Sequence, residues 1–431
     1  MEKKKLIVIG CGARGKAYAS IAKEMEGCFE VVAIAEPLKE RREHLQKLWN
    51  LPEERCFSSW EPLLALPRLA DAAVIATMDR DHTAPAMKAI EKGYHLLLEK
   101  PVSPVPEECF AIERAANLRG VEVLVCHVLR YTPFFRAVKR VIDSGMLGEV
   151  VNIQHTEGVG NLHQSHSFVR GNWKNSQESS FMLLQKSCHD MDILAWLVGK
   201  PCLRAQSFGS LTYFREENAP KGAPERCMDG CPVGESCRFN AVRLYLDDKK
   251  NGWFRGAATR MPSPTDADVE HALRTTEYGK CVFRCSNDVV DHQVVNLEFE
   301  GGVTASFTMS AFCRGTRTIR VMGTEGELTA EMKNPMLGIL RFGEKEYQEI
   351  PVSDMVTDDS IVGGHGGGDQ GIMHAFYELL CGRRASGVCD IGETCRNHMI
   401  AFAAERSRLE GRVVCLSEYE DEGEKQWKEK N

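Results

Sequence analysis

The sequence predicts an α/β protein that opens with a parallel, helix-flanked sheet. Three observations predict it. Short apolar runs alternate with helical stretches through the first 127 residues. Those runs lack polar alternation, as strands buried on both faces do. A glycine-rich turn, GCGARG, follows the first run and opens the first helical stretch. Strands that alternate with helices form parallel sheets with right-handed crossovers.

In order, the predicted strands are LIVIG (6–10), FEVVAIAE (29–36), DAAVIAT (71–77), YHLLLEK (94–100) and VEVLVCH (121–127). Helices are predicted over 15–26, 38–49, 83–92 and 106–119. The first turn supplies Gly10, Gly12 and Gly15, with Ala13 and Arg14 between them. Gly10 permits the tight turn, Gly12 lets a pyrophosphate approach the backbone, and Gly15 lets the helix pack close to the strand. The helix N-terminus then offers its free N–H groups to the phosphates. Glu36 lies at the end of the second strand, 21 residues after Gly15. A carboxylate there accepts the adenosine ribose hydroxyls and repels a 2′-phosphate. NAD is therefore favoured over NADP, although Arg41 and Arg42 soften the preference. Residues 1–127 are read as the NAD-binding domain.

Composition excludes other classes. The chain has 431 residues with 54 basic and 61 acidic side chains, a net charge of −7. It has no dense Lys/Arg block, so no nucleic-acid partner is expected. No apolar run approaches the roughly 18 residues of a membrane span. The Lys3–Lys5 run leads into five apolar residues, too few for a signal peptide. A cytoplasmic protein is expected, and most of its 17 cysteines should be reduced thiols.

The fourth predicted strand, YHLLLEK, runs into Glu99-Lys100-Pro101, and TMDRDH (77–82) precedes it. With LRYTPFFRAVKRVIDSGMLGEV (129–150), these segments resemble the Gfo/Idh/MocA (glucose–fructose oxidoreductase-like) family. The resemblance implies an N-terminal Rossmann domain followed by a C-terminal α/β domain with an open, mostly antiparallel sheet, here 128–431. It implies sugar or cyclitol substrates and a homodimer or homotetramer. It puts Thr77, His82, Glu99 and Lys100 on the cofactor side, with Lys100 also contacting the reacting hydroxyl. Met78 stands where the family usually has Pro. The family's Asp-x-Gly-x-His-x-x-Asp motif reads QKSCHDMD at 185–192. His189 and Asp192 match, but Gln185 replaces the Asp and Ser187 the Gly. Gln185 can only hydrogen-bond. Proton transfer therefore falls more on His189, with Lys186 as an added base or substrate clamp. Asp190 and Asp192 are read as charging the helix start.

The segment 155–173 is read as a polar loop lipping the site. His163, His166 and Arg170 are expected to bind hydroxyls or an anionic group, and Trp173 to stack on a sugar face. His365, in GGHGGGD (363–369), is a further substrate candidate. An insertion at about 215–275 carries Cys227, Cys231 and Cys237. With Cys285 as fourth ligand, or Cys281, they would form a structural zinc site. An iron–sulfur cluster is the second reading. Beyond the insertion, strands are expected in 289–312, a hairpin in 317–332, and helices over 370–381 and 392–409.

These readings favour an oxidoreductase moving hydride between a sugar, sugar-acid or cyclitol hydroxyl and NAD. The alternative is an NAD-dependent glycoside hydrolase or lyase working through transient sugar oxidation, elimination and re-reduction. A sensor without catalysis ranks last, because Lys100 and His189 are both present.

Overall fold

The computed structural model describes residues 2–356 and 364–419. The side chains of residues 364 and 365 lie outside the described set, and with them the expectation for His365.

The first sheet holds β1 (Lys4–Ile9), β2 (Phe29–Ala35), β3 (Cys56–Phe57), β4 (Ala72–Ile75), β5 (His95–Leu98) and β6 (Val123–Val125). Its order is β3-β2-β1-β4-β5-β6, and every pair is parallel. All of β4 is buried, as are Leu6–Ile9 and Leu96–Leu98, which is why these strands read as unbroken apolar runs. The two-residue β3 and the helix Trp60–Ala65 escape a reading based on periodicity, because each is too short to show a period. Successive strands run outward from β1 in one direction and from β4 in the other. The reversal opens a crevice beyond the carboxyl ends of β1 and β4, where ligands bind in such sheets.

The second sheet runs β14-β13-β12-β11-β7-β10-β9-β8-β15. Its strands are β7 (Val150–Gly158), β8 (Cys202–Ser210), β9 (His292–Phe299), β10 (Thr304–Ser310), β11 (Arg317–Gly323), β12 (Gly326–Glu331), β13 (Met336–Arg341), β14 (Gln348–Pro351) and β15 (Val414–Cys415). Every neighbouring pair is antiparallel except β7 with β10. The expected mostly antiparallel sheet is therefore present. Helices Cys188–Val198 and Ile391–Glu410 pack on one face of it.

One boundary differs in a way that matters. Strand β7 does not end at Gln154 but continues through His155 and Glu157. Its neighbours β10 and β11 pair with it over that whole stretch. His155 and Glu157 are consequently buried framework rather than loop.

The insertion folds around small apolar clusters of its own. One holds Tyr245, Phe254, Val269, Leu273 and Tyr278. The other joins Phe214, Phe239, Val282 and Phe283 to Val169 and Ala311. All 17 cysteines are free thiols. Among the described residues, no helix is long and apolar enough to cross a membrane.

Candidate active site

The glycine turn sits at the end of β1. Gly10 has φ +87°, and a Cβ there would lie 2.4 Å from the Ala76 carbonyl oxygen. A Cβ on Gly15 would fall 1.9 Å from the Gly10 oxygen. These two glycines are required by the protein's own packing. Gly12 is different: a Cβ there meets only the Arg41 guanidinium, at 3.4 Å. The space over Gly12 is left for something other than protein. Gly12 also caps the helix Ala13–Glu24, whose Lys16 N–H bonds back to the Gly12 carbonyl at 2.9 Å. The N–H groups before Lys16 belong to the unpaired end of the helix.

Glu36 is buried beside this turn. Its carboxylate accepts from the Cys11 N–H at 2.7 Å and the Leu38 N–H at 3.0 Å. Carboxylate oxygens carry about four acceptor sites in all, so capacity remains for ribose hydroxyls. The glycine cradle, the helix end and the Glu36 acceptor together fit a dinucleotide. Arg14 does not face the phosphates as a free cation: it pairs with Glu99 at 2.7 Å and Asp369 at 2.7 Å. Glu99 also accepts from Tyr18 and from the Lys100 N–H at 3.0 Å. Glu99 thus ties the end of β5 to the first helix and to the helix Gly368–Leu380. His82 acts as a latch. One ring nitrogen lies 2.7 Å from the Pro101 carbonyl and the other 3.3 Å from the Thr77 carbonyl. Thr77 itself donates to the Asp81 carbonyl at 2.9 Å.

Lys100 emerges from the carboxyl end of β5. Its Nζ donates to the Gln185 carbonyl at 2.6 Å. That bond brings the nucleotide-binding sheet against the segment leading into the helix Cys188–Val198, which carries His189 in its first turn. The Gln185 side chain donates to the Trp173 carbonyl at 2.9 Å and accepts from Ser179 at 3.3 Å. Trp173 in turn donates to Asp79 at 3.2 Å. Lys100, Lys186, His189, Gln185 and Trp173 therefore share one neighbourhood.

Beneath them lies a charged network that linear reading misses. Lys186 pairs with Glu157 at 3.3 Å. Burial lowers the Lys186 pKa from its ordinary value, with Glu157 opposing and Arg317 and Lys100 adding to the fall. Arg317 binds both Glu157 and Asp190, and His155 lies 2.8 Å from Asp190. Burial works against the Asp190 carboxylate, yet Arg317 and His155 hold its pKa below the ordinary value. Asp192 is likewise buried, not a solvated helix charge. It takes two bonds from Arg130, at 2.7 and 2.8 Å, and one from Asn397 at 2.9 Å. No local spacing announces Arg317 or Glu157, since strand pairing alone brings them under Lys186.

Two expected substrate residues are placed elsewhere. His166 is buried in the insertion's aromatic cluster, stacked on Phe254 at 4.0 Å and bonded to the Tyr245 hydroxyl at 2.9 Å. Burial, then Arg170, pushes its pKa down to about 3. Arg170 is buried too, donating to the Lys280 and Phe239 carbonyls at 2.8 and 2.9 Å. The insertion packs over this segment and turns both side chains inward. His163 packs against Phe168 and Trp253. The expected zinc set of Cys227, Cys231, Cys237 and Cys285 is not assembled. Among the described residues, no three Cys, His, Asp or Glu side chains converge to hold a metal ion. Cys285 instead turns its thiol onto the Cys281 carbonyl at 3.3 Å.

A glycine-cradled nucleotide crevice in a parallel sheet, followed by a second, mostly antiparallel sheet, defines a class, the two-domain NAD-binding oxidoreductases. Sequence models of the oxidoreductase family match both halves: its NAD-binding Rossmann fold at residues 4–127 and its C-terminal α/β domain at 139–416. The chain belongs to the Gfo/Idh/MocA oxidoreductase family. Bacillus subtilis YteT is 24% identical over 88% of this chain and 92% of its own. Inositol 2-dehydrogenase of Corynebacterium glutamicum is 26% identical, covering 44% of this chain and 53% of that enzyme. The 2,7-anhydro-N-acetylneuraminate hydratase of Mediterraneibacter gnavus is 26% identical, covering 44% and 48%. Among solved structures, levoglucosan dehydrogenase with NADH and L-sorbose superposes with TM-score 0.69 at 18% identity, covering 96% of this chain and 99% of that one.

Proposed function

We propose that this oxidoreductase oxidises a secondary hydroxyl of a sugar, sugar acid or cyclitol. The observation that carries the reading is the Lys100 ammonium. It leaves the end of β5 beside the glycine cradle and bonds at 2.6 Å to the segment that presents His189. A lysine ammonium has three donors, so after the Gln185 carbonyl two remain for a substrate hydroxyl. Lys100 orients that hydroxyl, and His189 takes its proton. Lys186 supplies a second basic group, and Gln185 and Trp173 frame the substrate. NAD, when bound, accepts the hydride from the carbinol carbon. Inositol and levoglucosan dehydrogenases among the similar proteins support a polyhydroxylated ring as substrate.

A second reading rests on the Lys186–Glu157 pair and the hydratase relative. A buried lysine with lowered pKa suits removal of a proton next to a transient ketone. One paired assay separates the two. NADH formed in proportion to a free sugar or cyclitol, without aglycone release from chromogenic glycosides, supports the dehydrogenase. Aglycone release with no net NADH, lost in Lys100→Ala, overturns it.

The same reading extends to assembly and location. Phe208 and Val294 pair across β8 and β9 and are 59% and 40% exposed on the open sheet. We propose that a second copy covers this face, and the mass of Phe208→Glu by light scattering tests it. A protomer mass for that variant beside a larger wild-type mass is expected; equal masses overturn the proposal. The free thiols fit a cytoplasmic protein.

A further inference from the structure

The insertion reaches back to the nucleotide crevice. Its helix Gly252–Thr259 ends on Arg260, which has φ +61°, a left-handed backbone that residues other than glycine seldom adopt. The turn is tied down from within. Arg255 pairs with Asp266 at 2.7 Å and donates to the Tyr245 carbonyl at 3.0 Å. The Arg260 carbonyl then accepts from Nε of Arg41 at 3.1 Å. Arg41 stands on the helix Lys39–Trp49, which follows β2 and Glu36. One bond thus joins the insertion to the cofactor domain across 219 residues of chain.

The same guanidinium stands over the glycine cradle. Its Nη1 is the atom that a Cβ on Gly12 would meet, at 3.4 Å. Among the described residues, no carboxylate pairs with Arg41. The neighbouring Glu36 carboxylate takes the Cys11 and Leu38 N–H groups instead. A guanidinium has five N–H donors, so four remain after the Arg260 carbonyl is served. Its planar fork matches phosphate oxygens two at a time. A side chain already held at Nε loses less freedom when a ligand arrives.

We propose that Arg41 binds the diphosphate of NAD, and that the insertion, through the Arg260 carbonyl, holds Arg41 in place and slows release of the cofactor. The proposal rests on the reading of the crevice as the NAD site. The insertion is then a strap on the cofactor, anchored at its other end where Trp253 packs on His163 at 5.1 Å.

Calorimetry on the full chain with NAD, NADP, ADP-ribose and adenosine tests it, together with NADH release followed by fluorescence. Arg41→Met should raise Kd for NAD and ADP-ribose by about 10- to 100-fold, the worth of a charge-assisted bond. Adenosine, which has no phosphate, should bind as in wild type. Arg260→Pro fixes φ near −65° and so moves the carbonyl. It should quicken NADH release by about fivefold, the worth of one hydrogen bond. Unchanged NAD affinity in Arg41→Met overturns the proposal. So does an equal loss for adenosine, which would put Arg41 on the base, or a larger loss for NADP, which would put it on the 2′-phosphate. Wild-type release from Arg260→Pro overturns the strap. Should that variant fail to fold, Arg41→Lys decides: it keeps the charge without the Nε–H bond, and wild-type release from it overturns the strap. A wild-type chain that binds neither NAD nor ADP-ribose sinks the NAD site itself, an outcome distinct from all of these.

Discussion

Three glycines of one turn carry different loads, and Gly12→Ala separates them. Gly12 has φ −66°, which alanine adopts freely, and its new Cβ would meet only the flexible Arg41 side chain. Loss of the better N-cap residue is offset by the smaller entropy of the unfolded chain, each worth a few tenths to about 1 kcal/mol. The urea midpoint should therefore move by no more than about 0.5 kcal/mol in stability. The methyl group instead occupies the space left for the pyrophosphate. Overfilling a tight contact costs about 1–3 kcal/mol, which is roughly a 5- to 150-fold rise in Kd for NAD. Gly10→Ala should do the reverse. It forces an L-residue to φ +87° and drives a Cβ to 2.4 Å from the Ala76 oxygen. The left-handed backbone alone costs about 1–2 kcal/mol, and the clash adds to it. Urea unfolding and NAD titration by protein fluorescence, run on both variants, give the four numbers. Wild-type NAD affinity in Gly12→Ala, or an unfolding midpoint as low as that of Gly10→Ala, would refute the assignment of the cradle.

Further outcomes follow from the same geometry. Lys100→Met should keep NAD binding while kcat falls by about 10²- to 10⁴-fold, the usual worth of a positioned proton-handling group; single-turnover kinetics check it. Lys186→Met should change the limb of the kcat profile that rises with pH below the ordinary lysine range, leaving the part that His189 carries, because burial lowers the Lys186 pKa. A profile unchanged from wild type removes Lys186 from the chemistry. Asp192→Ala removes the buried carboxylate that takes two bonds from Arg130, leaving it only the more exposed Glu393 at 2.8 Å, and should cost about 3 kcal/mol by urea unfolding. Burial raises the Asp192 pKa, but Arg130, His127 and Asn397 more than reverse this and hold it below the ordinary value. Its stabilisation is thus complete above the unfolded pKa, about 3.9, and is lost as pH falls through the lower folded value. The wild-type protein should lose stability with acid more steeply than the alanine variant, measured by urea midpoints from neutral pH downward.

Much of the first domain is legible in the linear chain because its information is local. A strand buried on both faces must be apolar throughout, so LIVIG and DAAVIAT declare themselves without any knowledge of their neighbours. The Gly10-x-Gly12-x-x-Gly15 spacing is likewise fixed by contacts within a single turn. Glu36 and Lys100 are readable because both stand at strand ends, where a parallel sheet presents its ligands. The sequence by itself thus determined the nucleotide crevice and the strand end from which Lys100 emerges. Only the tertiary structure decided what surrounds them. Glu157, Asp190 and Arg317 meet under Lys186 because β11 pairs with β7, across more than 120 residues of chain. His166 and Arg170 look like a polar lip in one dimension, yet the insertion folds over them and buries both. Periodicity reports which face of an element is buried; it carries nothing about which distant segment does the burying.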